Sequence, residues 1–211
     1  MLVARATESN FKPVTPGMHL ARCYRVVDLG TQESTFQGTT KTQHKCMIQF
    51  EVHSEDEDGN PLKTDKNEPM SISKTYTVSL GENSAMRRDL AAWRGRDFTK
   101  EELKGFELKN ILGAWCMISV VQTEGNNGKT YTNIAAVMPV PPNIKKMGLP
   151  EAHNEAQMFS ISNPDMELFE SFSQFLQDKI SASPEWQARQ KQTKPIYSGS
   201  AEDIEDDKIP F

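Results

Sequence analysis

Residues 70–95 read MSISKTYTVSLGENSAMRRDLAAWRG, and the hydrophobic period changes inside that stretch. Up to residue 80, Ile72, Val78 and Leu80 keep the two-residue phase of a half-buried strand. From residue 86, Met86, Leu90 and Trp93 recur at helical spacing. Asn83 or Ser84 can cap that helix and Gly95 can end it. Thr99, followed three residues on by Glu102, forms a capping-box pattern and predicts a second short helix through Lys104.

Strands flank this helical segment on both sides. Residues 18–29 are rich in β-formers. A polar stretch, 31–42, contains Gly38 and a single aromatic, Phe36. Residues 45–52 then alternate, placing Cys46, Ile48, Phe50 and Val52 on one face. The acidic segment 54–68, with Asp58, Gly59, Asn60 and Pro61, reads as a long hairpin loop to the strand at 70–80. Beyond the helices, strands at 114–122 and 131–140 are joined through Gly125, Asn126, Asn127 and Gly128, and Pro139, Pro141 and Pro142 end the second.

Three strands, a helical segment and two more strands is the order of a five-stranded Greek-key OB barrel, whose helix lies between the third and fourth strands. A β-sandwich is less natural at this strand count, and a ferredoxin-like fold needs a helix after its first strand. The expected fold class is therefore mainly β, with an OB domain over residues 1–150. A helical extension follows over 151–187. There Asn163 and Pro164 open a helix that carries Met166, Phe169, Phe172, Phe175 and Leu176 on one side. Packing of that stripe on the barrel is the simpler reading, and a dimer surface is the alternative. From 188 to 211 the composition turns to Gln, Lys, Thr, Ser, Gly and acids, and a disordered linker and acidic tail are expected.

The chain has 211 residues, a hydrophobic fraction of 36% and a formal net charge of −5. That charge is concentrated. Residues 201–211 hold a net −4 and residues 54–68 another −4, which leaves a body of +3, compatible with a locally positive groove. No stretch approaches the roughly 18 apolar residues of a membrane span, and no signal-peptide core follows Met1. Cys23, Cys46 and Cys116 are odd in number, widely spaced and set in apolar runs, so buried free thiols in a reducing cytoplasm are expected. His44 and Cys46 have no second pair at ligand spacing, and neither a metal nor another cofactor is expected.

Gly128, Lys129 and Thr130 look like the end of a phosphate-binding P-loop, but Thr123 stands where that motif requires glycine, and a strand follows instead of a helix. No nucleophile elbow, zinc-protease motif or calcium loop occurs, so an enzyme is not expected. The strands do carry what a single strand of DNA requires, aromatic platforms beside cations. Phe36 stands out in its polar surroundings. Tyr76 shares a face with Lys74, where core packing of the ring competes with base stacking. Trp115 and Tyr131 flank the last hairpin, with Lys129 at its tip. Arg22, Tyr24, Arg25, Lys41 and Lys45 complete the set. Arg87, Arg88, Arg94 and Arg96 around Trp93 are better read as a solvated helix face.

The last residues are the most specific signal. Asp206, Asp207, Lys208, Ile209, Pro210 and Phe211 resemble the terminal tip of bacterial single-stranded DNA-binding proteins, in which acids precede Ile-Pro-Phe and a free carboxylate. An aspartate usually stands where this chain has Lys208. Residues 74–80, 90–99, 106–116 and 130–142 resemble segments of phage-encoded single-stranded DNA-binding proteins of the OB class. The resemblance implies sequence-tolerant binding and protection of single-stranded DNA in phage replication and recombination, with possible self-association on DNA. It also implies recruitment of replication and recombination proteins through Asp206, Asp207, Ile209, Pro210 and Phe211. The competing expectation is an OB-fold protein-interaction adaptor whose acidic tail mimics nucleic acid.

Overall fold

The computed structural model describes residues 13–36, 38–56, 58–125 and 128–193. The chain is mainly β. Its long strands are β1 (Gly17–Phe36), β2 (Thr39–Val52), β3 (Met70–Thr77), β4 (Trp115–Glu124) and β5 (Thr130–Met138). They form one antiparallel sheet in the order β3-β2-β1-β4-β5, and the short β6 (Gln157–Phe159) adds to β1 in parallel at Arg25, Val26 and Val27. The sheet curls so that its edges β3 and β5 come together, although no ladder joins them among the described residues.

Helix α1 (Ala85–Arg94) bridges the gap, touching both edge strands. Ser84 caps it by accepting from Arg87 N, and Gly95 ends it at φ 69°. Met86, Leu90 and Trp93 are its buried face, as the spacing required. They close a core built from Ala21, Cys23 and Val26 of β1, the alternating Cys46, Ile48, Phe50 and Val52 of β2, and Cys116, Ile118 and Val120 of β4. Trp93 stacks at a tilt on Phe50, with centroids 5.7 Å apart, and donates its indole N–H to the Trp115 carbonyl at 2.9 Å. The capping box at Thr99 and Glu102 opens α2 (Lys100–Lys104). All three cysteines are free and buried.

β1 and β2 are longer than their hydrophobic cores. They continue past Asp28 and Cys46 as a two-stranded arm that closes at Phe36 opposite Thr39. The polar stretch expected between the strands is thus strand itself. Threonines at 31, 35, 39, 40 and 42 supply β-branched side chains that favour extended backbone without burial, and Thr35 and Thr40 share a hydrogen bond at 2.9 Å.

The C-terminal extension packs on the outer side of β1. Its single expected helix is replaced by three, α4 (Met166–Glu170), α5 (Gln174–Ser181) and α6 (Pro184–Thr193), after an α3 (Pro142–Met147) that follows the prolines. Asp165, not Asn163, caps α4. The expected onset of disorder at 188 falls inside α6. Val27 and Leu29 of β1 join Phe159, Ile161, Leu168, Phe169, Phe172, Leu176, Ile180 and Trp186 in a second core. Full burial of a side chain such as Ile180 is worth about 1.5–3 kcal/mol.

The α5–α6 corner is pressed against β1 at Gly30. Its φ of +66° favours glycine, and a Cβ there would lie 2.5 Å from Ser183 Cβ. Ser183 cannot retreat, since its buried hydroxyl donates to the Ile180 carbonyl at 2.7 Å and accepts from Trp186 N. Gly30→Ala is expected to lower stability by roughly 2–4 kcal/mol, the sum of left-handed backbone strain and overpacking. Urea unfolding measures it, and a loss below about 1 kcal/mol would show that the corner is not held against the strand.

Candidate nucleic-acid interface

The sequence-selected residues fall into three places. The first is the buried polar lining of β1, β2 and β3. Arg22 is buried, its Nη1 3.2 Å from the fully buried Glu51 carboxylate and 2.9 Å from the Asn154 carbonyl. Glu51 also accepts from Asn154 N and Nδ2, both at 2.7 Å, and from His153 N at 3.2 Å. Burial alone pushes the Glu51 carboxyl up, yet these donors, together with His53, hold it below its usual range. Arg22 is thus a structural ion-pair residue that ties the extension to the sheet, and it offers no free cation to DNA.

Tyr24 is buried as well, and Arg25 lies over its ring at 5.3 Å and over Phe172 at 5.5 Å. The Arg25 guanidinium donates to Gln157 Oε1 at 2.6 and 2.9 Å. Lys74 and Tyr76 do share a face, but it points at Asp89 of α1. The ammonium lies 2.7 Å and the phenol 3.0 Å from the same Oδ2. Burial and then the Asp89 charge push the Tyr76 phenol well up. Its ring is packed and presents no face to a base. Trp115 does not flank the β4–β5 hairpin as expected but opens β4 opposite Arg22, at the far end of the strand, where it is half-buried with its ring against His53 at 5.0 Å.

The second place is a cleft of about 500 Å³ where β3 meets β5, lined by Ser71, Ile72, Ser73, Thr130, Tyr131 and Thr132 with Pro13 and Val14. Tyr131 is 47% exposed there. Lys129 is exposed at the end of the β4–β5 turn, where its carbonyl accepts from Gly125 N at 2.8 Å. The third place is the β1–β2 arm, which carries exposed Lys41 opposite Ser34 and half-buried Lys45 opposite Gly30. The Phe36 backbone closes this arm, and its side chain lies outside the described residues. Asp206, Asp207, Ile209, Pro210 and Phe211 also lie outside them.

The arginines of the helical segment are charge-matched, Arg88 and Arg96 exposed and Arg87 and Arg94 half-buried rather than solvated. Arg87 pairs with Asp97 at 2.8 Å, and Arg94 and Arg96 both pair with Glu102. Hydrogen bonds from Arg96 and from Thr99 N pull the Glu102 carboxyl down to about 2. One exposed aromatic escaped the sequence reading. Phe175, assigned to the apolar stripe, is 76% exposed. The helix breaks at Ser173 and restarts, so Leu176 and Ile180 take the buried positions and Phe175 is turned out. Ser173, a residue type that favours helix caps, was the available signal.

Among the described residues no group of three or more His, Cys, Asp or Glu side chains can hold a metal ion, and no helix is long and apolar enough to cross a membrane. No protein-family model matches the chain, and no curated protein matches it.

Removing the Tyr76 hydroxyl separates packing from binding. Tyr76→Phe deprives buried Asp89 of one donor and is expected to cost about 1–2 kcal/mol of stability in urea. Affinity for an oligonucleotide is expected to stay within about twofold, because the hydroxyl is engaged by Asp89 inside the fold. A loss of affinity with unchanged stability would place Tyr76 at the interface after all.

Proposed function

We propose that this protein is an OB-type single-stranded DNA-binding protein. It covers exposed strands without strong sequence preference during phage DNA replication and recombination in the bacterial cytoplasm. Its C-terminal tip recruits partner proteins. The observation that carries the reading is the cleft at which the two edges of the sheet meet, with Tyr131 exposed beside the Lys129 turn. The strand order, the approach of β3 to β5 and the helix α1 set across that approach support an OB barrel. OB folds commonly bind oligonucleotides on the face of strands two and three and with the loops that join strands one to two and four to five. Here the arm with Lys41 and Lys45 and the turn with Lys129 occupy those two positions.

The chemistry suits a single strand better than a duplex. Unpaired bases expose faces on which a tyrosine can stack, while lysines neutralise the phosphates. Titration of fluorescently labelled oligo-dT is expected to show saturable binding, with affinity falling steeply as salt rises. Tyr131→Ala is expected to cost about 1–3 kcal/mol of binding with the fold retained. A duplex of equal length binding as tightly at the same salt would exclude the reading.

The tail reading rests on sequence. A terminal aromatic can enter an apolar pocket of a partner while its carboxylate and the upstream acids meet basic groups. The same acids compete with DNA at high effective concentration. Deleting residues 201–211 removes a net −4 and is expected to raise DNA affinity, most at low salt. Deleting Phe211 alone is expected to leave DNA affinity nearly unchanged and to abolish capture of replication proteins in a pull-down. Partners retained after loss of Phe211 but lost on neutralising the acids would assign recruitment to charge alone.

A further inference from the structure

Where the C-terminal extension meets the root of the β1–β2 arm, one exposed ring and two cations stand together. Phe175 is 76% exposed, whereas Leu176 and Ile180 of the same helix are buried in the second core. One turn further along α5, the Lys179 ammonium lies 5.8 Å from the centre of the Phe175 ring. Burial, and after it the nearby charge of Lys45 on β2, holds that ammonium below the usual lysine range. The Lys179 carbonyl accepts from Gln32 of β1, whose ladder partner Gln43 is two residues from Lys45, so Lys45 and Lys179 are neighbours across the junction of arm and extension.

Neither lysine makes an ion pair among the described residues, whereas Lys74, Arg87, Arg94 and Arg96 all do. The carboxylates that could compensate are turned elsewhere. Asp178 accepts from Gln174 Nε2 at 2.7 Å, and Glu185 is taken by Thr31 and by His44 at 3.6 Å. The patch is also held still, because the Lys179 carbonyl accepts from Gln32 Nε2 of β1 at 2.9 Å. Two like charges kept close without a counterion favour a polyanion. A fixed exposed ring beside them favours one whose bases are unstacked.

We infer that Phe175, Lys179 and Lys45 form a subsite for single-stranded DNA on the C-terminal extension, one base stacking on the ring and the adjoining phosphates meeting the two ammoniums. This rests on the single-strand reading above and adds a surface to it. Lys45 pairs with Thr77 across the β2–β3 ladder, so the subsite continues onto the outer face of β3. A strand long enough to leave the barrel is thereby held by the extension as well.

The test is titration of the full chain with oligo-dT over a range of salt concentrations, for the native protein and for Phe175→Ala, Phe175→Trp and the double variant Lys45→Ala/Lys179→Ala. Phe175→Ala is expected to weaken binding about tenfold and Phe175→Trp to retain it with a newly quenched fluorophore. The double variant is expected to flatten the slope of log affinity against log salt by about 0.7 for each phosphate that is no longer neutralised. Native binding combined with unchanged affinity and slope in all three variants overturns the subsite and leaves the single-strand reading standing. Absence of binding by the native chain overturns both. If Phe175→Ala instead turns an oligomer into a monomer in sedimentation with DNA affinity intact, the ring joins copies of the chain and the inference fails.

Discussion

The architecture depends on a single strand serving two cores, and two irregularities in β1 make that possible. Its register against β2 shifts between Cys23 and Arg25 and again between Asp28 and Gly30. An unbroken strand sends alternate side chains to one face, and a bulge resets that alternation. Ala21 and Cys23 therefore enter the first core together with Val26, three residues on, while the adjacent Val27 enters the second. Between the bulges β6 docks beside Arg25, Val26 and Val27, so the point where β1 changes allegiance is also where the extension joins the sheet.

Polar groups fix that junction. The buried Glu51 carboxylate takes donors from Asn154, His153 and Arg22, joining β2, β1 and the segment before β6. At the other end Asp28 accepts from Gly30 N and Ile161 N and meets His44, while Glu185 of α6 accepts from Thr31 N at 2.9 Å. Apolar packing sets how strongly the extension is bound. These directional bonds set where it sits, since a buried carboxylate left short of donors costs several kcal/mol. The root of the β1–β2 arm is fixed as a result, and with it the positions of Lys45 and Lys179.

The strands and first helix were legible because their signals are local. Cys46, Ile48, Phe50 and Val52 alternate, Met86, Leu90 and Trp93 recur at helical spacing, and Ser84, Gly95, Thr99 and Glu102 punctuate the helices. The arm was missed because threonine-rich extended chain lacks a hydrophobic period. β6 was missed because three residues carry almost no periodic signal. The candidate site was harder to read. Arg22, Arg25, Lys74 and Tyr76 have the right chemistry for DNA, but their partners Glu51, Phe172 and Asp89 come from distant parts of the chain, and only the folded arrangement reveals them. Phe175 failed in the opposite direction. A stripe drawn through one long helix buries it, and the break at Ser173 turns it out to solvent.

The cysteines divide unequally between the two cores. Cys23, Cys46 and Cys116 all line the first, and the second holds none among the described residues. Burial pushes the Cys23 and Cys46 thiols up to about 12 and Cys116 well above its ordinary value. Alkylating reagents attack the thiolate, so these thiols react only when the packing around them opens. Labelling rates of this protein consequently report the breathing of the first core alone. A detachment of α4, α5 and α6 that leaves the first core closed is silent in that measurement, and Trp186, buried among their side chains, is the group placed to report it.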